Sequence, residues 1–238
     1  MHKDSYFIEK QGYQCNPEIT FDSDGGVYWN RDRISRTLLY QYEVYKYASK
    51  LYRRDQCNSL LDLGCGPPTK MYHFFAGLDG SFALADQPTT AQLAGKIFPN
   101  AEFYAVDLNT PIGCLSDQKF DMIICADVIE HLSRPDHLLS AIRENLSSQG
   151  KAIISTPNRD VRRGPDNLQP DNPAHVREWN KPELKKFIEE SGFEVISQES
   201  VPIERLPTWK DWLRRHMGAY GGDPIKSGGQ MIICQKAR

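Results

Sequence analysis

Long apolar runs are absent from this chain. No stretch of its 238 residues approaches the roughly 20 apolar positions that a membrane helix needs. The opening residues carry His2, Lys3, Asp4, Glu9 and Lys10 and no apolar core, which argues against a secretory signal. A cytoplasmic protein without a membrane span is the expectation. Neither charge sign is in excess: 29 Lys+Arg face 31 Asp+Glu, a net charge of −2. That excludes the basic footprint of a dedicated nucleic-acid binder. C-x-x-C pairs are missing too. Cys15, Cys57, Cys65, Cys114, Cys125 and Cys234 fit no zinc framework, and no metal centre is expected. Three of the six sit in apolar or glycine-rich segments, so they read as small buried hydrophobes in a reducing compartment. Internal repeats and low-complexity tracts are absent as well.

What remains is a globular mixture, 39% hydrophobic and 25% charged, large enough to bury a core as one domain. Short apolar runs at 59–63, 82–85, 102–106, 120–125 and 151–155 read as buried strands. Helical patterns lie between them. Residues 135–146 place Leu138, Leu139, Ile142 and Leu146 on one face, with Ser133 as cap and Gly150 after the end. Residues 181–191 have Asn180 as cap, Glu183 three positions on and Gly192 at the close. Such alternation predicts an α/β fold, a mainly parallel sheet with helices on both faces. Two tail strands are expected at 193–199 and 230–235, with a small helix at 207–217 carrying Trp209 and Trp212. Ahead of the first strand, 31–51 reads as a helix with Ile34, Leu38, Tyr42 and Tyr45 in one stripe. Residues 1–58 are expected to form a helical extension that lids a ligand pocket.

The strongest local signal is Asp62-Leu63-Gly64-Cys65-Gly66, where a buried strand runs into a glycine turn and then a helix. Glycines there let the backbone approach a ligand closely. Asp86 ends the second strand 20 positions beyond Gly66, the spacing at which an acid meets a ribose diol. Asp107 ends the third strand, where it could accept from an adenine amine. Each acid alone could be a cap or a turn residue. Three acids at three successive strand ends outline a ligand crevice. A dinucleotide would want G-x-G-x-x-G, but Thr69 stands at the third glycine position and Pro67-Pro68 removes two N–H donors. S-adenosylmethionine carries no phosphate and fits better.

On these residues the chain resembles the class I S-adenosylmethionine-dependent methyltransferases of the small-molecule and glycan-modifying type. The likeness includes the fourth-strand run from Phe120 through Cys125, Ala126, Asp127, Glu130 and His131 to Leu132, and extends over about 59–236. Pro68 departs from the third glycine of many relatives. The resemblance implies a Rossmann-like seven-stranded sheet in the order 3-2-1-4-5-7-6, the last strand antiparallel, within a domain at 59–238 carrying an insertion at about 200–229. It implies that Asp62, Gly64, Cys65 and Gly66 line the methionine end. Asp86, with Gln87 beside it, would bind the ribose; Asp107 and Leu108 would flank the adenine; Ala126 and Asp127 would sit by the sulfonium and the acceptor.

A hydroxyl acceptor also needs a base, and histidine suits neutral pH. His131, just past the fourth strand, and His175, in the long segment 157–179, are the candidates, with Asp127 between strand and acceptor. Either histidine could equally be structural. The long segment carries Arg159, Arg162, Arg163 and Arg177, which form a solvated loop or grip an anionic acceptor; Arg159 and Arg177 are the expected substrate contacts. Trp179 would anchor the loop to the body. The expected activity is methyl transfer to a small molecule or glycan, at oxygen first. The alternatives are N- or C-methylation of another metabolite such as a quinone, a nucleotide-dependent oxidoreductase, and a binding module that lost catalysis. No nucleic-acid partner is expected, and the protein would be a monomer or homodimer.

Overall fold

The computed structural model describes residues 6–18, 34, 36–117, 119–162, 164–203 and 228–237. Seven strands form one sheet: β1 (Ser59–Leu63), β2 (Ser81–Asp86), β3 (Glu102–Ala105), β4 (Phe120–Ala126), β5 (Leu146–Pro157), β6 (Phe193–Pro202) and β7 (Gly228–Lys236). Their order is β3-β2-β1-β4-β5-β7-β6. β1 to β5 pair in parallel, whereas β7 runs antiparallel to both β5 and β6. The sheet is therefore the one the motifs implied. An open parallel sheet forms its ligand crevice at the C-terminal strand ends.

Successive residues of one strand face opposite layers. Leu61, Ile123, Ile154 and Ile232 join one core with Leu138, Leu139 and Ile142 of α4 (Pro135–Asn145) and Leu184, Phe187 and Ile188 of α6 (Lys181–Glu190). Leu60, Met122, Ile124 and Ile153 join the other with Val44, Tyr45, Ala48 and Leu51 of α1 (Tyr42–Arg54) and Met71 and Phe75 of α2 (Thr69–Phe75). A short α3 (Ala91–Ile97) connects β2 to β3, and one turn of helix, α5 (Arg159–Arg162), follows β5. Cys65, Cys125 and Cys234 are buried, and all six cysteines are free thiols. Among the described residues no helix is long and apolar enough to cross a membrane.

Helix ends separate expectation from structure. α6 opens with the full capping box: Asn180 accepts from the Glu183 N–H at 3.0 Å, and Glu183 accepts from the Asn180 N–H at 3.1 Å. α4 is not capped by Ser133. Its N-cap is Arg134 without a side-chain bond, and the Ser133 hydroxyl donates to Asn109 Oδ1. Nor does a turn precede β5. Leu146 is extended and pairs directly with Phe120, so Gly150 lies inside the strand, where an added Cβ would meet Phe120 O at 2.9 Å. The expected 31–51 helix is also shifted. Gln41 is left-handed at φ 51°, and the buried face of α1 beyond it is Val44, Tyr45, Ala48, Leu51 and Tyr52. The described part of the N-terminal extension before residue 34 is irregular. The tail helix at 207–217, with Trp209 and Trp212, and most of the 200–229 insertion lie outside the described residues, as does Arg163.

Candidate active site

The turn after β1 is built by contact across the sheet. Gly64 has φ +76°, and a Cβ there would stand 2.4 Å from Val128 Cγ2. Only glycine accommodates both the left-handed backbone and the neighbour. Gly66, at φ 50°, donates its N–H to Asp86 Oδ2 at 2.7 Å. Asp86 also accepts from the Gln87 N–H at 2.7 Å and from the Thr90 hydroxyl at 3.3 Å. The end of β2 is thus locked to the glycine turn, and burial raises the Asp86 carboxyl above the usual carboxylate range. Asp107 lies apart from this pair, exposed past the end of β3, with Oδ1 accepting from the Asn109 N–H; Leu108 beside it is buried.

Beneath the turn sits a buried polar group that sequence reasoning missed. Tyr45 of α1 donates to both oxygens of Asp62, at 3.0 and 2.9 Å. Lys70 of α2 is buried, donates to Thr37 O at 3.2 Å and lies 5.2 Å from the Tyr45 ring centroid. Burial pushes Asp62 up to about 7, against the opposing pull of the Tyr45 bond and the Lys70 ammonium. Burial lowers Lys70, while Asp62 and Asp127 hold it up. Desolvation also drives the Cys65 thiol well above its ordinary value, which makes it a hydrophobic liner and not a nucleophile.

After β4 the chain turns sharply. Asp127 is left-handed at φ 53°, uncommon for a non-glycine residue and frequent at functional turns. Three bonds fix it: its N–H donates to Ser155 O at 2.9 Å, Oδ1 accepts from the Ser155 hydroxyl at 2.9 Å, and Oδ2 accepts from Gln41 Nε2 at 2.8 Å. Ala126 precedes it at the buried strand end. A 3-10 turn, Ile129–His131, then carries Glu130 into the interior. Glu130 Oε2 accepts from the Thr156 hydroxyl at 2.9 Å, and Oε1 has no hydrogen-bond partner. Burial raises its pKa well above normal.

The long segment after β5 folds back onto this turn. Glu130 O accepts from the N–H groups of Val176 at 2.7 Å and Arg177 at 3.3 Å. That places His175 against His131, ring centroids 4.8 Å apart and edge to face. Nδ1 of His131 bonds Ala174 O at 2.7 Å, and Nδ1 of His175 bonds Glu178 Oε1 at 2.5 Å. Burial and the neighbouring His175 lower His131 to about 4. Glu130, His131 and His175 each offer one ligand atom, all within 4.8 Å of one another. The two histidines, 44 positions apart in sequence, are therefore one cluster.

Arg159 and Arg177, the expected substrate contacts, are both buried. Arg159 is 1% exposed and forms a two-pronged ion pair with Glu183, at 2.8 and 3.1 Å. Arg177 is 5% exposed; it donates to Leu132 O and Ser133 O and lies 4.5 Å over the Tyr6 ring. The hydrogen bonds of both guanidiniums run to the protein itself, and Arg177 Nε is buried with no hydrogen-bond partner. Trp179 is fully buried and stacks on Phe187, so it does anchor the loop. The strand of chain at 6–18 laces along it: Asn16 Nδ2 donates to the carbonyls of Pro170, Asn172 and His175, and Tyr6 O accepts from the Trp179 indole. The missed residues Gln41, Tyr45, Lys70 and Ser155 carried no local signal because their partners are distant in sequence, and Glu178, three positions from His175, was missed although its spacing was local.

The turn accepts a cofactor without phosphate. Its polar groups are a buried carboxylate, a half-buried one and a buried lysine, and Pro67 and Pro68 leave few N–H donors. A methyltransferase domain model matches residues 40–198. The ubiquinone biosynthesis O-methyltransferase of Rickettsia akari (strain Hartford) is 29% identical over 157 residues, 58% of each chain. The chain spans about half the length of the curated relatives it matches. Among solved structures, the cyclase SpnF aligns with TM-score 0.65 at 16% identity, over 94% of this chain and 99% of that one. The 1,6-didemethyltoxoflavin-N1-methyltransferase of Burkholderia thailandensis, with S-adenosylhomocysteine bound, aligns with TM-score 0.57 at 18% identity, over 82% of this chain and 79% of that one. The family model covers the glycine turn, all three strand-end acids and the histidine pair. The chain belongs to the methyltransferase-domain family and has the Rossmann-like fold of the class I S-adenosylmethionine-dependent enzymes.

Proposed function

We propose that the chain transfers the methyl group of S-adenosylmethionine to an oxygen of a small molecule. The carrying observation is one constellation at the C-terminal strand ends: a glycine turn pressed on Val128, the buried carboxylate of Asp62 and the half-buried one of Asp86, and the His131–His175 cluster after β4. S-adenosylmethionine would supply a methyl carbon activated on a sulfonium, and the acceptor hydroxyl would have to give up its proton. Asp62, with Gly64, Cys65 and Gly66, receives the amino-acid end, and Lys70 stands ready for its carboxylate. Asp86 and Gln87 hold the ribose, while Asp107 and Leu108 border the adenine.

Much of the rate in such a displacement comes from alignment. The triple hold on Asp127 supports a fixed wall next to the acceptor. His131 and His175 stand where the acceptor proton leaves. Arg159 and Arg177 act at one remove, holding the loop that carries His175. The Rickettsia relative acts in ubiquinone biosynthesis, so a ring hydroxyl is the first acceptor to try and a sugar hydroxyl the second. Two measurements test the reading. Titration calorimetry with S-adenosylhomocysteine should show binding that Asp86→Ala abolishes. Release of S-adenosylhomocysteine from S-adenosylmethionine should then require an acceptor with a free hydroxyl. Binding of NAD in place of S-adenosylhomocysteine would overturn the proposal.

A further inference from the structure

We propose that Glu130, His131 and His175 are the ligands of one divalent transition-metal cation beside the acceptor. Two imidazole nitrogens and a carboxylate oxygen are a donor set suited to zinc, manganese or cobalt rather than to calcium or magnesium. The three ligand atoms already lie within 4.8 Å of one another. Ligands about 2.0–2.2 Å from one ion stand roughly 3–3.5 Å apart, so small rotations of the side chains close the site.

Each ligand is set for this role. A carbonyl oxygen only accepts, so the Nδ1 of His131 facing Ala174 O carries the hydrogen. That tautomer leaves its Nε2 with a free lone pair. Nδ1 of His175 faces the Glu178 carboxylate at 2.5 Å, which likewise places the hydrogen on Nδ1 and leaves Nε2 a lone pair. A carbonyl on one histidine and a carboxylate on the other are the outer contacts that orient metal-binding imidazoles. Glu130 supplies an independent sign: its Oε1 is buried and has no hydrogen-bond partner. A buried carboxylate oxygen left bare costs stability unless something fills its place. A cation would do so, and would offset the burial of the carboxylate.

The role of the cation rests on the methyl-transfer reading, although its binding does not. Three protein ligands leave coordination positions open. An acceptor hydroxyl meeting the cation there loses its proton to solvent more readily and presents an oxyanion to the methyl carbon. His131 and His175 are then ligands and not proton acceptors.

The test uses the full chain after chelator treatment. Zinc is titrated by calorimetry, and cobalt by its visible spectrum. One equivalent should bind. His175→Gln should weaken binding at least 100-fold, and Glu178→Gln, which touches only the outer contact, by roughly 10–100-fold. S-adenosylhomocysteine binding should be unchanged in both variants, which also shows that they fold. If zinc fails to bind while S-adenosylhomocysteine does, the metal site is wrong and the cofactor reading stands. A cobalt–thiolate charge-transfer band would move the ion to a cysteine and also overturn the proposal. Variant-sensitive zinc binding without S-adenosylhomocysteine binding supports the metal site and overturns methyl transfer instead.

Discussion

Gln41 donates from Nε2 to Asp127 Oδ2 at 2.8 Å, and both residues are left-handed, at φ 51° and 53°. The residue that starts α1 thus also fixes the turn after β4, 86 positions away. Two substitutions separate the two jobs. Gln41→Ala removes the bond and keeps the backbone strain; Gln41→Gly removes both. Gln41→Ala should cost about 1–2 kcal/mol in urea unfolding, and Gln41→Gly should cost less because glycine relaxes φ. Both should weaken S-adenosylhomocysteine binding to the same extent. Equal stabilities would show that Gln41 is not strained.

Gly64→Ala should destabilise the protein by roughly 2–4 kcal/mol, because the new methyl meets Val128 Cγ2 at 2.4 Å on a left-handed backbone. Val128→Ala in the same chain should recover part of that loss, since the clash goes and the φ strain stays. Denaturant midpoints of the single and double variants decide it. No recovery would mean that backbone strain is the whole cost.

Cofactor affinity should rise with pH through the range around Asp62. Burial holds its carboxyl at about 7, so below that pH the free protein carries a proton that an incoming ammonium must displace. The limiting slope is about tenfold per pH unit. The effect on stability has the opposite sign: the folded state binds this proton more tightly than the unfolded chain, so the contribution is complete below the ordinary aspartate range and fades as pH climbs toward 7. Tyr45→Phe removes a bond that favours the carboxylate and should shift the binding profile to higher pH. Calorimetry in buffers of differing ionisation heat would count the proton.

Arg159→Met should lower stability by about 3–5 kcal/mol, because it strands Glu183 in the interior. Arg159→Met with Glu183→Gln, which removes the stranded charge and keeps a side-chain oxygen to accept from the Asn180 N–H, should regain part of it. If Arg159 holds the loop rather than the acceptor, the double variant keeps its KM for any acceptor found. A KM raised tenfold or more in that variant would return Arg159 to the acceptor.

The sheet was legible because its signals are local. Buried parallel strands are short apolar runs, and the Asp62–Gly66 turn and Asp86 announce themselves by spacing. What could not be read depends on distant partners. The Tyr45 stripe predicted a helix face but not the hydrogen bond to Asp62, which needs the β1–α1 packing. Arginines in a polar loop look the same whether solvent or Glu183 receives them. Ser133 has the chemistry of a cap, but Asn109 competes for its hydroxyl. His131 and His175 were both singled out, yet their contact depends on Glu130 O holding the loop from beneath.

β7 lies between β5 and β6, and β6 has no other neighbour in the sheet. As the chain is made, β5 therefore presents a bare hydrogen-bonding edge until Gly228–Lys236 emerges, and β6 waits with no strand to join. Open edges are where chains pair wrongly. This protein's exposure to aggregation is thus concentrated late in synthesis, and a ribosome stalled before residue 228 would hold a five-stranded sheet with β5 as an open edge.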